Sequence, residues 1–243
     1  MNAVALLETR ALTLRAAGRP LVEGLAWRVH AGERWCVIGR NGAGKSLVLR
    51  ALAGLGVPER SGEVLWRGRA QGEWPADAAA ALRALMPQQP QDRFALTVER
   101  VLALSEVAAA APRPSELMSA LDIEALAQRR VDQLSGGERQ RVALAQCAMQ
   151  GAGLMLLDEP VSFQDPAHQQ LVGRWLARCA ADRAWIASAH DPSWIARVAT
   201  HVLALSGDGR WQAGPVEEIL SAAVLEQTYG CGWRNVDGAW LPV

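Results

Sequence analysis

The string GRNGAGKS, Gly39 to Ser46, lies between RWCVIG, an apolar run of strand character, and KSLVLRALAGL, whose apolar residues recur at helical spacing. No other part of the chain limits the fold so tightly. Gly39, Gly42 and Gly44 let the main chain turn sharply and approach a bound group closely. The helix that follows offers unpaired N–H groups and the positive end of its dipole, a setting suited to an anion. Lys45 is the only lysine among 243 residues; every other basic side chain is arginine. A compact ammonium on a flexible stem enters a tight ring of main-chain amides where a broad planar guanidinium does not. The string matches G-x-x-x-x-G-K-[ST], and with a strand before it and a helix after it reads as a phosphate-binding P-loop. On that reading Gly39, Arg40, Asn41, Gly42, Ala43, Gly44, Lys45, Ser46 and Leu47 surround a nucleotide. Lys45 reaches its β- and γ-phosphates, and the Ser46 hydroxyl serves Mg²⁺. A glycine-rich turn with a surface lysine is the alternative, and the strand-to-helix setting argues against it.

Bulk properties narrow the class further. The length suits one domain or two. Half of the residues are apolar and 21% are charged, which leaves room for a real core. Twenty-five basic residues balance 25 acidic ones, so no net field favours nucleic acid and none is expected as a partner. Cysteines 36, 147, 179 and 231 show no C-x-x-C spacing and read as reduced thiols in a cytosolic protein. The four histidines are equally scattered, which argues against a zinc site. The opening MNAVALLETR breaks its apolar run at Glu8 and Arg10, too early for a signal peptide. No window approaches 18 uninterrupted apolar residues, so a soluble chain that can still dock on a membrane protein is expected.

Along the chain, residues 3–38 read as strands joined by turns at AAGRP and HAGE. GEVLWRG is a strand and DAAAALRAL an alanine-rich helix. From 90 to 133 the pattern turns helical and irregular, with prolines at 112 and 114. Strand–helix alternation then resumes: GLMLLDEP, AWIASAH and THVLALS are short apolar runs of the kind buried in a parallel sheet. The helical patterns PAHQQLVGRWLARCA and PSWIARVA separate them. This argues for one α/β domain over 1–243, with a core of 1–89 and 134–243, helices on both faces and a helical insertion at 90–133.

A second glycine-rich anchor is QLSGGERQRVALAQCAMQ, where Val142, Ala145 and Met149 make an apolar stripe. Ser135 is a good N-cap, and Gly136–Gly137 leave the first N–H groups open to a close ligand. Taken in order, GRNGAGKS, LSGGERQR, LMLLDEP and SAH resemble the ATP-binding subunits of ABC transporters over nearly the whole chain. The resemblance implies the P-loop NTPase core of an ABC ATPase, with an N-terminal antiparallel β subdomain and a helical subdomain insertion. It also implies two copies facing head to tail, each ATP held between the P-loop of one and Ser135, Gly136, Gly137 and Glu138 of the other.

LMLLDE carries four apolar residues into two carboxylates, and burying both charges is costly unless something offsets them. The resemblance implies that Asp158 holds Mg²⁺ and Glu159 polarises the attacking water. It also implies that Gln88, in LMPQQPQDRF, reaches both the metal and that water, with Gln89 as the neighbouring register. His190 matches the histidine that contacts the γ-phosphate, and Asp165 the aspartate of a loop crossing the dimer interface. His30, His168 and His201 match no motif.

Several positions depart from the family pattern. Leu47 stands where threonine is common, Ala16 where an aromatic ring stacks on adenine, and VSFQD where TSALD is usual. Weaker base stacking and lower base selectivity follow from Ala16.

The tail, LALSGDGRWQAG and then PVEEILSAAVLEQTYGCGWRNVDGAWLPV, resembles that of importer ATPases serving cobalamin, ferric siderophores and haem. The resemblance therefore implies an ATPase on the cytoplasmic face of the inner membrane, driving import through a polytopic permease. That permease would meet it near Gln89 to Leu104, with a periplasmic binding protein involved indirectly. A soluble assembly ATPase and an exporter ATPase are the alternatives.

Overall fold

The computed structural model describes residues 4–89, 95–105, 111–180 and 183–243. Two long strands, β1 (Leu7–Ala16) and β2 (Arg19–Val29), pair antiparallel around an Ala17–Gly18 turn in which both φ values are positive. That turn geometry follows the right-handed twist of the strands it joins. β3 (Arg34–Gly39) then leads through the glycine-rich string into α1 (Lys45–Leu52). β4 (Arg60–Trp66) returns to pair with β1, and β5 (Arg69–Ala70) completes a four-stranded sheet of order β2-β1-β4-β5.

α2 (Ala76–Leu82) runs directly into β6 (Arg83–Met86). Here the structure corrects the sequence reading of DAAAALRAL as one helix. Arg83, Ala84 and Leu85 pair instead with Leu154, Met155 and Leu156 of β7 (Leu154–Leu157). A buried edge for pairing outweighs alanine's helical preference, which is worth only tenths of a kcal/mol per residue.

Next come α3 (Val98–Leu104), α4 (Pro114–Ala120) and the long α5 (Gly136–Met149). Of the expected insertion at 90–133, residues 90–94 and 106–110 lie outside the described residues, and so does part of the expected permease contact. Val98, Leu102, Leu117 and Ile123 share one core with Val142 and Leu144 of α5. The chain continues through β7, α6 (Pro166–Cys179), β8 (Ala184–Ser188), α7 (Pro192–Val198), β9 (His201–Leu205) and β10 (Trp211–Pro215). It closes with α8 (Val216–Ile219), α9 (Ala222–Tyr229) and a hairpin of β11 (Trp233–Val236) and β12 (Ala239–Pro242).

The central sheet has the order β10-β9-β3-β8-β7-β6, parallel throughout except for β10 at its edge. β7 and β8 are buried at every position because both faces of this sheet are covered. Successive residues of β3 enter different cores. Cys36 and Ile38 pack with α5, α6 and α7, while Trp35 and Val37 pack with α1 and the antiparallel sheet. Val142, Ala145 and Met149 are all fully buried, together with Leu144, Cys147 and Ala148. At its far end the chain is tied back: the Trp240 N–H donates to Ser193 Oγ at 2.9 Å, in the first turn of α7.

Candidate functional site

Four strands of the central sheet end at one edge, and each delivers a polar group there. β3 delivers the glycine-rich loop, β6 leads to Gln88, β7 ends at Asp158–Glu159, and β8 ends at Ser188 with His190 just beyond. The carboxyl edge of an open parallel sheet is where such folds place their ligands.

The loop needs its glycines for identifiable reasons. A Cβ on Gly39 would lie 2.9 Å from the Leu205 carbonyl oxygen and 3.0 Å from Ala43 Cβ. Gly44 precedes α1 at φ 99°, and a Cβ there would approach Leu21 Cβ at 3.1 Å. Lys45, only 7% exposed, donates from Nζ to the carbonyl oxygens of Gly39 at 2.9 Å and Arg40 at 3.3 Å. Burial pulls the pKa of its ammonium down, and the carboxylates of Glu159 and Asp158 only partly oppose this.

An open cleft of about 670 Å³ is lined at its polar end by Asn41, Lys45, Ser46, Gln88, Glu159 and His190. Its other wall is aliphatic: Ala16, Leu21 and Leu47. A smaller pocket of about 270 Å³ shares Ser46 and Gln88 and adds Asp158. Hydroxyl, amide and carboxylate oxygens are the donor set that a hard cation such as Mg²⁺ takes, with room left for phosphate and water.

The two carboxylates are wired into one network. Ser188 Oγ donates to Asp158 Oδ1 at 2.6 Å and accepts the Glu159 N–H at 2.8 Å. His190 Nε2 lies 3.0 Å from Glu159 Oε1, and Ser162 Oγ donates to Glu159 Oε2 at 2.8 Å. Burial pushes the Glu159 carboxyl up, but hydrogen bonds from Ser162, His190 and Gln88 outweigh it and hold the pKa below the ordinary carboxylate value. Glu159 also has φ 52°, in the left-handed region that residues with side chains rarely enter. Its carbonyl oxygen accepts from Gln140 Nε2 at 2.7 Å.

The structure therefore gathers the glycine-rich loop, Gln88, Asp158, Glu159 and His190 at one place. Ser135, Gly136, Gly137, Glu138 and Asp165 do not line this cleft. Ser135 and Glu138 form a reciprocal cap at the start of α5, each side chain accepting the other's N–H. Gly137 has a packing role that its sequence context does not reveal: a Cβ there would lie 2.8 Å from the Phe163 carbonyl oxygen. Asp165 caps α6 and pairs with His168 Nδ1 at 2.7 Å, while His168 Nε2 reaches Asp122 Oδ2 at 3.1 Å. His168 thus has a structural role although it matches no motif. Three further residues of the site, Ser162, Ser188 and Gln140, lie inside the strings VSFQD, SAH and LSGGERQR, yet the sequence reading assigns none of them a role. For Ser188 there is also a local signal, a serine closing the otherwise apolar strand AWIAS.

A family model described as ABC transporter matches residues 22–162. The chain is 37% identical over 228 residues to the hemin import ATP-binding protein HmuV of Streptomyces coelicolor, covering 90% of this chain and 81% of that protein. It is 36% identical over 228 residues to the vitamin B12 import ATP-binding protein BtuD of Vibrio cholerae, covering 88% and 90%. Among solved structures, the ATP binding subunit of an ABC transporter superposes with a TM-score of 0.80 over 93% of this chain and 98% of that one, at 24% identity. An inward-facing ABC transporter assigned to the metal-chelate type gives the same TM-score over 98% of each chain, at 22% identity. At those identities the likeness is one of fold.

Proposed function

This chain belongs to the ABC transporter family of ATPases, and from that premise we propose that it powers import of a metal chelate, of the haem or cobalamin kind, through a membrane permease. The observation that carries the reading is the single cleft joining Lys45, Ser46, Gln88, Glu159 and His190. Relatives named for hemin and vitamin B12 import support the cargo class.

In this reading the triphosphate lies along the loop, with main-chain N–H groups and the Lys45 ammonium holding its tail. Ser46, Gln88 and Asp158 would hold Mg²⁺, which when bound neutralises charge on the phosphate oxygens. The Glu159 carboxylate, kept ionised by Ser162, His190 and Gln88, polarises a water aimed at the γ-phosphate. His190 sits 3.0 Å from Glu159 and would contact the γ-phosphate. Ser135, Gly136, Gly137 and Glu138 lie outside the cleft, which suits their serving the nucleotide of a second copy, with Asp165 at the crossing loop between copies. The subunit works peripherally on the cytoplasmic face of the inner membrane, bound to the permease and only indirectly to a periplasmic binding protein. No helix among the described residues is long and apolar enough to cross a membrane itself.

Glu159→Gln tests the reading. Turnover should fall by a factor on the order of 10² or more while ATP binding stays within about twofold. Reconstituted with its permease in vesicles, the same variant should stop uptake of haem or cobalamin. A variant that still pumps refutes the proposal.

A further inference from the structure

The position of the Glu159 side chain depends on a main chain that no residue with a Cβ adopts readily. Its φ of 52° places it in the left-handed region, at the turn between β7 and α6. Such a conformation persists only where surrounding contacts over-determine it. Two side chains from distant elements provide them. Ser188, at the end of β8, accepts the Glu159 N–H at 2.8 Å. Gln140, in the second turn of α5 and 2% exposed, donates to the Glu159 carbonyl oxygen at 2.7 Å. The Ser162 N–H also reaches that oxygen, at 3.2 Å, but from within the same turn, so it cannot fix the turn against the rest of the molecule.

We infer that Gln140 is a positioning residue for ATP hydrolysis, holding the Glu159 main chain in its left-handed conformation against the anchor that Ser188 provides on the other side. This rests on the reading of Glu159 as the group that activates water. The physical argument is one of leverage. The carboxylate hangs on a two-carbon stem, so rotation of the residue toward the ordinary helical region would swing it away from both His190 and the water position. A misplacement on the order of 1 Å at a reacting group costs on the order of 10²-fold in rate. Nucleotide affinity comes from Lys45 and the loop amides, which Gln140 does not touch, so binding should be unaffected. The sequence marks the segment but not this role: Gln140 lies within LSGGERQR, and the carbonyl it holds is 19 residues away.

The experiment measures kcat, KM and ATP affinity for Gln140→Leu, Glu159→Gln and the double variant, each corrected for its folded fraction. The inference predicts that Gln140→Leu lowers kcat on the order of tenfold or more, with ATP affinity within about twofold. In the Glu159→Gln background the same change should cost nothing further, because there is no longer a carboxylate to aim. If Gln140→Leu fails to fold, Gln140→Asn withdraws the amide by one methylene and serves for the same readings. Unchanged kcat in the Gln140 variants, beside an inactive Glu159→Gln, overturns this inference alone. Equal losses in both backgrounds also overturn it, since they assign Gln140 a general structural role. Full turnover in Glu159→Gln instead removes the reading on which it rests.

Discussion

Gly136 and Gly137 are equivalent on paper, yet the structure predicts that alanine at one leaves the fold's stability intact and at the other lowers it. A Cβ on Gly136 would sit 3.4 Å from Phe163 Cβ, where ordinary contact begins. On Gly137 it would sit 2.8 Å from the Phe163 carbonyl oxygen, about 0.6 Å too close, and against main chain rather than a movable side-chain tip. The opposing loop has little slack. Phe163 already holds φ 62°, and Gln164 Nε2 ties back to the Pro160 carbonyl at 3.0 Å. Both glycines lie in the first turn of α5, so each alanine gains the same helical preference, up to about 1 kcal/mol. Only Gly137→Ala also carries the overpacking cost, about 1–3 kcal/mol. The two variants should therefore differ by about 1–3 kcal/mol, or by roughly 2–12 °C in Tm for a chain of this length. Thermal unfolding followed by tryptophan fluorescence reads this directly. Gly136→Ala should melt at or above the parent protein and Gly137→Ala below Gly136→Ala. Equal melting temperatures for the two variants would refute the steric argument.

Three further outcomes follow from the cleft. Ala16→Tyr places a ring on the aliphatic wall beside Leu21 and Leu47, and stacking worth about 0.5–1.5 kcal/mol should lower KM for ATP about two- to tenfold; an unchanged KM would remove Ala16 from the base site. Ser162→Ala deletes a hydrogen bond that lowers the Glu159 pKa. The stabilisation that Glu159's contacts give the fold is complete above its unfolded value near 4.5 and is lost as pH falls through the lower folded value. With Ser162→Ala that loss, and the acid limb of kcat, should move to higher pH, and a limb that stays put contradicts the assignment. Lys45→Arg keeps the charge but not the shape, and a cation seated on two carbonyls at 7% exposure leaves little room for a planar fork; equilibrium binding should show ATP affinity falling at least tenfold, and parent-like affinity would refute the tight-ring argument.

What the sequence makes legible, and what it hides, follows from how far apart the interacting groups lie. Gly39 to Ser46 is one contiguous device, so its residues and its strand-to-helix setting can be read together. Asp158 and Glu159 stand out because charge at the end of an apolar run is expensive without a purpose, whereas His190 is legible only from the order of the motifs. Ser188 acts on residues 30 and 29 positions earlier, and Gln140 on one 19 positions later, so the strings that contain them, SAH and LSGGERQR, do not reveal what they hold. DAAAALRAL misleads because alanine's preference is visible in a window of nine letters, whereas the pairing of Arg83 to Met86 with β7 is not. The difference between Gly136 and Gly137 depends on a loop 26 residues beyond Gly137, whose carbonyl direction no composition encodes.

The hydrogen bond from Trp240 to Ser193 puts the last hairpin in mechanical contact with the helix turn that follows His190. The Val243 N–H is itself pinned to the Gly232 carbonyl at 2.9 Å, which holds the hairpin closed on itself. A load applied to that hairpin is therefore passed through Ser193 to the turn that follows His190. Force on β11 and β12 thus becomes a way to disturb His190 from a distance, without touching the residues that line the cleft.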